Sequence, residues 1–486
     1  MTKFAAHNSK SPMKPTPKTP SPLVSLFPVA FLVGMLFATI RTFGSDALGG
    51  GSQVSLLTTA ALCIFIGMTF YRIPWKRYEE AIARTVGDVA TAILILLVIG
   101  ALGGAWMVSG VVPTLICYGM ELIHPGFFLT CTCVICALVS VMTGSSWTTI
   151  ATIGIALLGI GKAQGFEEGW IAGAIISGAY FGDKISPLSD TTVLASSVTG
   201  TPLFSHIRYM MVTTVPSLAV TLAIFTVAGL AQETSSTGQM AEFTAALHAK
   251  FRITPWLLAV PLATGVLIAR RVPSIITLFL STLLAGLAAL TFQPELLREI
   301  SGEGDLFKGL MATFYGNTSL QTESAMLTEL VATRGMSGML DTVWLILCAM
   351  CFGGAMTAGG MLGSITAVFV RFVRGTASLV ASTVGSGLFL NLATADQYIS
   401  IILTGKMFSE VYRREGYESR LLSRTTEDAV TVTSPLIPWN TCGMTQATIL
   451  SVPTLTYLPY CFFNLVSPLM SIFIAAIGYR IYRKKG

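Results

Sequence analysis

The sequence predicts an all-α polytopic membrane protein: two inverted repeats of five transmembrane helices, each with a re-entrant hairpin and a discontinuous helix. Of its 486 residues, 53% are hydrophobic and 11% are charged, with a mean hydropathy of +0.71, whereas soluble domains carry about 25% charged residues. Ten apolar runs are long enough to span a bilayer, and several polar motifs recur about 250 residues later. The predicted partner is therefore the lipid bilayer, with no indication of nucleic acid.

The first element, residues 1–22, is predicted to be a disordered cytoplasmic tail. It contains lysines but no acidic residue, together with many Ser, Thr and Pro residues. The apolar run from about Val24 to Phe43 is too long for a secretory signal and lacks its small-residue cleavage site. We therefore expect this run to remain as a membrane span.

The spans follow from the length of the apolar runs. They are predicted at 23–44, 53–71, 87–109, 170–199, 207–230, 255–271, 273–292, 338–358, 425–452 and 456–479. Two further apolar regions, 127–161 and 377–409, are interrupted at their centres by polar residues. We interpret both regions as re-entrant hairpins with polar tips.

The positions of the charged residues support this topology. With the N-terminus inside and each hairpin entering and leaving on one side, most arginines and lysines fall on the cytoplasmic side. An acidic loop containing Glu295 and Glu299 falls outside, and only Lys250 and Arg252 lie on the unexpected side. The chain is therefore predicted to lie in the cell inner (plasma) membrane with both termini in the cytoplasm.

An internal repeat divides the chain. Gly103-Gly104-Ala105 matches Gly353-Gly354-Ala355, and Ser186-Pro187-Leu188 matches Ser434-Pro435-Leu436, at almost the same offset. The predicted units are a first repeat at 23–230, a connecting loop at 231–254, a second repeat at 255–480 and a basic cytoplasmic tail at 481–486. An odd number of crossings per half inverts the second repeat, and such repeats place substrate and ion sites near the midplane.

The polar motifs resemble those of a known family. The run from Gly182 to Thr192 is similar to the signature of the NhaC-type sodium/proton antiporters, as are the segments 334–341 and 434–440. The resemblance implies an inverted-repeat ion transporter with two hairpins, often a homodimer, in which a transport domain moves against a scaffold. This sequence has Arg334-Gly335-Met336 where Arg-Gly-Gly is common. Relatives of the family also exchange organic acids.

The candidate site consists of oxygen-bearing side chains, the ligands that sodium prefers. A broken helix supplies freed carbonyls as well, and Pro187 frees one because it lacks a backbone donor. We predict that the ion-binding and proton-exchanging residues are Asp183, Ser186, Ser189, Asp190, Thr191 and Asp396, with the three aspartates as Na+ ligands. The predicted substrate cavity adds Thr143, Ser145, Ser146, Thr148, Asn391, Thr394, Ser434, Asn440 and Thr441.

Proton exchange requires a carboxylate that holds either a proton or the cation, and desolvation favours the protonated form. Asp190 ranks first because it lies within the helix break. Lys184 favours an alternative role for Asp183, that of a structural ion-pair partner. Glu427 and Asp428 begin a predicted span, where they fit helix capping and dipole compensation, and His206 is expected to be solvated.

Three functions compete. The leading hypothesis is sodium/proton antiport, with Na+ and H+ as transported ions and no cofactor. The main alternative is a proton- or sodium-coupled exchanger of small organic acids, of the malate/lactate type. Three aspartates without a convincing midplane arginine favour a cation. A channel or a membrane enzyme is the third class, but the sequence has no phosphate-binding loop, nucleophile triad or metal cluster.

Overall fold

The computed structural model describes residues 20–43, 49–232, 237–270, 272–302, 304–318, 320, 322, 328 and 331–483. Within these residues, nine helices are long and apolar enough to cross a membrane, or up to eleven spans if each of two bent helix pairs counts as one. The predicted helical, multi-pass architecture is confirmed. Most of the predicted N-terminal tail lies outside the described residues.

Within its described residues, the first half contains eleven α-helices. They are α1 Pro22–Phe43, α2 Gly51–Tyr71, α3 Trp75–Asp88, α4 Ala90–Val108, α5 Val111–Leu122, α6 Phe128–Thr143, α7 Ser146–Thr149, α8 Ile155–Ala163, α9 Glu168–Ile185, α10 Asp190–Val198 and α11 Leu203–Ala231, with a π-helical turn, Ile150–Gly154, between α7 and α8. Helix α3 was not among the predicted spans, because it is too polar to cross.

The second half begins after the connecting segment, which contains helix α12 Thr237–Lys250. Its helices are α13 Ala259–Ala269, α14 Ser274–Phe292, α15 Pro294–Ser301, α16 Leu306–Tyr315, α17 Leu340–Ala358, α18 Met361–Arg371, α19 Thr376–Thr394, α20 Gln397–Arg414, α21 Ser419–Thr426, α22 Thr441–Leu450, α23 Thr454–Tyr457 and α24 Phe462–Ala476. A π-helical turn, Glu427–Thr431, continues α21.

Both predicted helix breaks are present. The run 170–199 is divided between α9 and α10, and the run 425–452 is interrupted between its π-helical turn and α22. Proline fits each break, because it cannot donate a backbone hydrogen bond to a continuing helix. A bend that was not predicted divides the run 456–479, where Thr454–Tyr460 and Phe462–Ala476 meet at 55°.

The order of elements recurs at the offset seen in the sequence. Helices α4 and α5 are joined through Gly110, at φ +84°, and α17 and α18 through Gly360, at φ +68°. Each half then continues with a helix, a tight polar tip, a second helix and a broken helix. The two halves therefore share one sequence of elements.

The first hairpin lies directly against the first broken helix, because glycines in α9 leave space for it. A Cβ atom at Gly178 would lie 2.1 Å from the carbonyl oxygen of Cys133 in α6, and one at Gly182 would lie 2.4 Å from that of Ala137. Small residues commonly allow such close backbone approach between membrane helices. This contact places the hairpin tip beside the break after Ile185.

Candidate ion site at two hairpin tips and two helix breaks

The hairpin tips share one hydrogen-bonding pattern. In the first tip, the Thr143 hydroxyl donates to the carbonyl of Ser145, 3.1 Å away, and lies 3.2 Å from the Thr149 hydroxyl. In the second tip, the Thr394 hydroxyl donates to the carbonyl of Asp396 at 2.9 Å and lies 2.9 Å from the Ser400 hydroxyl. The predicted polar tips are therefore two copies of one local structure.

Left-handed backbone at each tip makes the turn possible. Gly144 has φ +67° and Ala395 has φ +57°. The residue after each turn caps the returning helix: the Ser145 hydroxyl accepts from the Thr148 amide at 3.2 Å, and the Asp396 carboxylate accepts from the Ile399 amide at 2.9 Å. Such caps satisfy amide groups at a helix start that would otherwise lack partners.

The first hairpin tip contacts the first helix break through Asp183. We call such a contact between a tip and a break a junction. The buried carboxylate of Asp183 accepts two hydrogen bonds from Ser146, from the hydroxyl at 2.7 Å and from the amide at 3.2 Å. The Ser186 hydroxyl donates instead to the carbonyl of Val141 at 2.8 Å. The Asp183 side chain is thus part of the junction, whereas the Ser186 side chain connects the backbone of the break to α6.

The start of α10 completes this first junction. Ser189 caps the helix, and its hydroxyl lies 3.0 Å from that of Thr191. Asp190 is the first residue of α10 and is exposed, with the Tyr398 hydroxyl 3.5 Å from its carboxylate. Asp183 is therefore the more enclosed of the two carboxylates, and Asp190 lies at the edge of the junction.

The second tip meets the second break through Asp396. The Thr441 hydroxyl donates to the Asp396 carboxylate at 3.2 Å, and the Thr441 amide donates to the carbonyl of Ala395 at 2.8 Å. The Ser434 hydroxyl lies 3.3 Å from the side-chain oxygen of Gln397. Asn440 caps α22 and also donates to the carbonyl of Asn391 at 3.1 Å. These predicted cavity residues form the second junction.

The junctions correspond position by position. Ser140 donates to the carbonyl of Ala179 at 2.6 Å, and the side chain at the equivalent position, Asn391, donates to that of Val430 at 2.7 Å. At this offset of 251 residues Asp183 corresponds to Ser434 and Asp396 to Ser145, whereas the Ser-Pro-Leu motifs of the two breaks match at an offset of 248. The first junction therefore carries its buried acid on the break, and the second carries its buried acid on the tip.

Aromatic and amide side chains link the two junctions. The amide of Gln446 in α22 donates to the Tyr180 hydroxyl in α9 at 3.3 Å. The hydroxyl of Tyr398, in α20, lies 3.5 Å from the Asp190 carboxylate, and Asp396 caps the same helix. The structure thus brings the three predicted aspartates into one region between the halves.

A buried charge cluster lies behind the first break. The Lys184 ammonium donates to the Asp428 carboxylate, and both side chains are fully buried. Asp428 also accepts from the hydroxyls of Thr213 and Ser467, each at 3.2 Å. The suggested pairing of Lys184 with Asp183 is therefore wrong, because Lys184 faces the second half of the chain.

The remaining charges in this cluster lack close partners. Arg424 is fully buried, its Nε atom lies 3.8 Å from Asp428, and its nitrogens donate no hydrogen bond to the described part of the chain. The Glu427 carboxylate is also buried and has no partner at hydrogen-bonding distance in the described part of the chain. The Thr431 hydroxyl interacts with it more weakly. Buried charged groups without hydrogen bonds are costly in a membrane and mark functional regions.

Two sequence-based interpretations change here. The expected role of Glu427 and Asp428 in capping is wrong, because α21 already begins at Ser419 and the two acids lie in the π-helical turn that follows it. His206 is buried rather than solvated, with its Nδ1 atom 2.8 Å from the Ser423 hydroxyl. The sequence did contain a signal for this buried charge cluster. Three charged residues lie close together in Arg424-Thr-Thr-Glu427-Asp428, inside an apolar region.

Comparison with known proteins identifies relatives over most of the chain. The model of the Na+/H+ antiporter family matches residues 11–179 and 178–479. A protein named Na(+)/H(+) antiporter NhaC from Alkalihalophilus pseudofirmus is 36% identical, covering 86% of this chain and 89% of its own. The protein of the same name from Bacillus subtilis is 34% identical over 87% of this chain and 91% of its own.

A differently named relative covers slightly more of the chain. The malate-2H(+)/Na(+)-lactate antiporter of Bacillus subtilis is 34% identical over 95% of this chain and 97% of its own length. The family match and these identities agree with the resemblance seen in the 182–192 motif. The chain belongs to the Na+/H+ antiporter family, and its similarity to the NhaC proteins spans both halves.

Proposed function

We propose that this protein is a secondary active transporter that exchanges Na+ for H+ by alternating access. The observation that carries the proposal is the enclosure of two carboxylates, Asp183 and Asp396, each at a junction between a hairpin tip and a broken helix. A hydroxyl group contacts each carboxylate, that of Ser146 at Asp183 and that of Thr441 at Asp396, and hard oxygen ligands of this kind suit Na+. Membership of the Na+/H+ antiporter family supports the same ions.

The exchange follows from competition at these carboxylates. A proton and a cation cannot both neutralise one carboxylate, and low hydration strengthens the preference for a neutral state. When Na+ leaves to one side, the carboxylates take up protons, and the protonated form returns. We assign this role to Asp183 and Asp396, with Asp190 at the entrance, and propose Ser189 and Thr191 as further oxygen ligands.

The orientation is also part of the proposal. Both termini face the cytoplasm of the plasma membrane, because the arginines and lysines near the ends of the spans then lie inside. The halves 23–230 and 255–480 act as inverted repeats around the site. The movement of a transport domain against a scaffold, and assembly as a homodimer, follow from the family resemblance.

Transport by the purified protein in liposomes tests the proposal. Internal pH is recorded with a trapped dye while Na+, Li+, K+ or choline is added outside in the absence of organic acids. We expect Na+ to drive proton efflux and internal alkalinisation, and choline to have no effect. Loss of this response in Asp183→Asn, with wild-type yield and unchanged size-exclusion behaviour, would assign it to the site.

The second candidate is coupled exchange of small organic acids, favoured by the 34% identity to the malate-2H(+)/Na(+)-lactate antiporter. Tip hydroxyls such as those of Ser145 and Thr148 can bind carboxylates as well as cations. The same liposomes, loaded with malate or lactate, distinguish the functions. A pH change that requires an organic acid would replace the Na+/H+ proposal with this one.

A further inference from the structure

A cavity of about 330 Å³ is lined by none of the residues of the candidate ion site. Its walls come from the start of α11, from α21 and from the residues after α24. Three arginines line it, Arg208, Arg420 and Arg480, together with the aromatic side chains of Tyr209 and Tyr482. From this arrangement we propose that the cavity binds a phosphate-bearing anion, with the headgroup of an anionic membrane lipid as its source.

The charge balance of the cavity favours an anion. Glu418 pairs with Arg420 at 2.5 Å, but neither Arg208 nor Arg480 belongs to an ion pair within the described part of the chain. Buried Arg424 lies behind Tyr209, 4.7 Å from the centre of its ring, but its charge faces the Asp428 carboxylate 3.8 Å away and is not counted for the cavity. The planar guanidinium group binds phosphate oxygens through paired hydrogen bonds.

Aromatic contacts hold the guanidinium of Arg420 in place. The guanidinium of Arg420 lies 4.0 Å from the ring centre of Tyr482 and 5.3 Å from that of Tyr209. The Tyr209 hydroxyl donates to the carbonyl of Arg480 at 2.8 Å, and the Glu418 amide donates to that of Tyr482 at 3.2 Å. Hydrogen bonds thus connect residues 480–482 to α11 and to the start of α21, so the cavity is already formed.

The position of the cavity favours a lipid as the source of the phosphate. Phe204 is 73% exposed and Tyr479 is 50% exposed beside it. Exposed aromatic residues near the ends of membrane spans lie at the level of the lipid headgroups. Basic pockets between membrane helices at this level bind anionic headgroups. Soluble phosphate would supply the same oxygens without acyl chains.

Binding to the purified protein in a neutral detergent tests the proposal. Native mass spectrometry counts bound phosphatidylglycerol or phosphatidylcholine, and a parallel titration uses inorganic phosphate. The variant carries Arg208→Gln and Arg480→Gln. The matched control is Arg413→Gln, which removes an exposed arginine of α20 that does not line the cavity. We expect phosphatidylglycerol to bind about twenty-fivefold more weakly to the double variant, since each of the two basic residues contributes about fivefold.

The outcomes separate the possibilities. Equal phosphatidylglycerol binding by the double variant and the control would overturn the proposal, as would equal binding of the two lipids to the wild type. Competition by inorganic phosphate at matched concentration would overturn the lipid source and leave a soluble anion. If the double variant is poorly folded, Glu418→Gln provides the second test: removing the competing carboxylate should tighten phosphatidylglycerol binding about fivefold, and an unchanged affinity would contradict the proposal.

Discussion

Lys184 and Asp428 form an ion pair between α9 and the π-helical turn after α21, with both side chains fully buried. The two residues are 244 positions apart, so the pair joins the first broken helix to the second. Lys184 also follows Asp183 directly in the chain. The pair therefore fixes the backbone that presents Asp183 to the first hairpin tip.

Removing one member of this pair should destabilise the protein strongly. Lys184→Met leaves the buried Asp428 carboxylate with only Arg424, 3.8 Å away, as a cationic partner, and breaking a buried ion pair costs about 3–5 kcal/mol. We expect a lower unfolding temperature in detergent for Lys184→Met and for Asp428→Leu. The double variant should recover part of the loss, because neither member of the Lys184–Asp428 pair is then left alone, although Arg424 loses the carboxylate that lies 3.8 Å away. Equal losses in the single and double variants would show that the pair contributes little.

Replacing the buried acids should separate their roles from that of Asp190. Asp183→Asn and Asp396→Asn should each reduce exchange by at least about 100-fold, because an amide keeps the shape but neither binds a proton nor neutralises Na+. Asp190→Asn should mainly raise the KM for Na+, since Asp190 lies at the exposed edge. Initial rates of proton flux against Na+ concentration provide the measurement. A complete loss confined to Asp190→Asn would reverse this assignment.

The apparent affinity for sodium should depend on pH. If Na+ and H+ compete for the same carboxylates, only the deprotonated fraction binds Na+, and the apparent KM rises by up to about tenfold for each unit of pH decrease. The maximal rate should change far less, and saturating Na+ should abolish the inhibition at acid pH. A constant KM combined with a falling maximal rate would instead place the pH dependence at a separate sensor.

The close contact between α6 and α9 should be intolerant of even one methyl group. Gly178→Ala would place a Cβ atom 2.1 Å from a backbone carbonyl oxygen, so the first hairpin has to move away from Asp183. We expect lower exchange and a lower unfolding temperature. Gly265→Ala is the matched control, because its Cβ atom would meet nothing within 4 Å. Comparable behaviour of the two variants would argue against a role for this contact.

The predicted re-entrant hairpin can be tested by labelling. Single cysteines replacing His124 and Glu167, both exposed, flank the first hairpin. In a background without the nine native cysteines, a membrane-impermeant maleimide should label both from the same side of the membrane. Labelling from opposite sides would mean that the region crosses the membrane, and the proposed inversion of the second half would fail.

Local features of the sequence were sufficient to predict the breaks and the tips. Pro187 and Pro435 interrupt apolar runs, and Gly144 together with Thr143 marks a polar turn, so each signal lies within a few residues of its effect. Lys184 and Asp428 could not be paired in this way, because their contact depends on the packing of two distant helices. Glu427 was wrongly assigned to the start of a helix. The helix α21 begins earlier, at Ser419, in an amphipathic segment that precedes the apolar run.

The position-by-position match between the two junctions has a consequence for the history of the chain. If the halves descend from one duplicated segment, each copy kept one buried acid, but at the opposite member of its junction: Asp183 on a break and Asp396 on a tip. Each junction then has one buried carboxylate, although a different element carries it in each half. Moving the acid within the second junction, by Asp396→Ser together with Ser434→Asp, would reconstruct the arrangement of the first copy in the second.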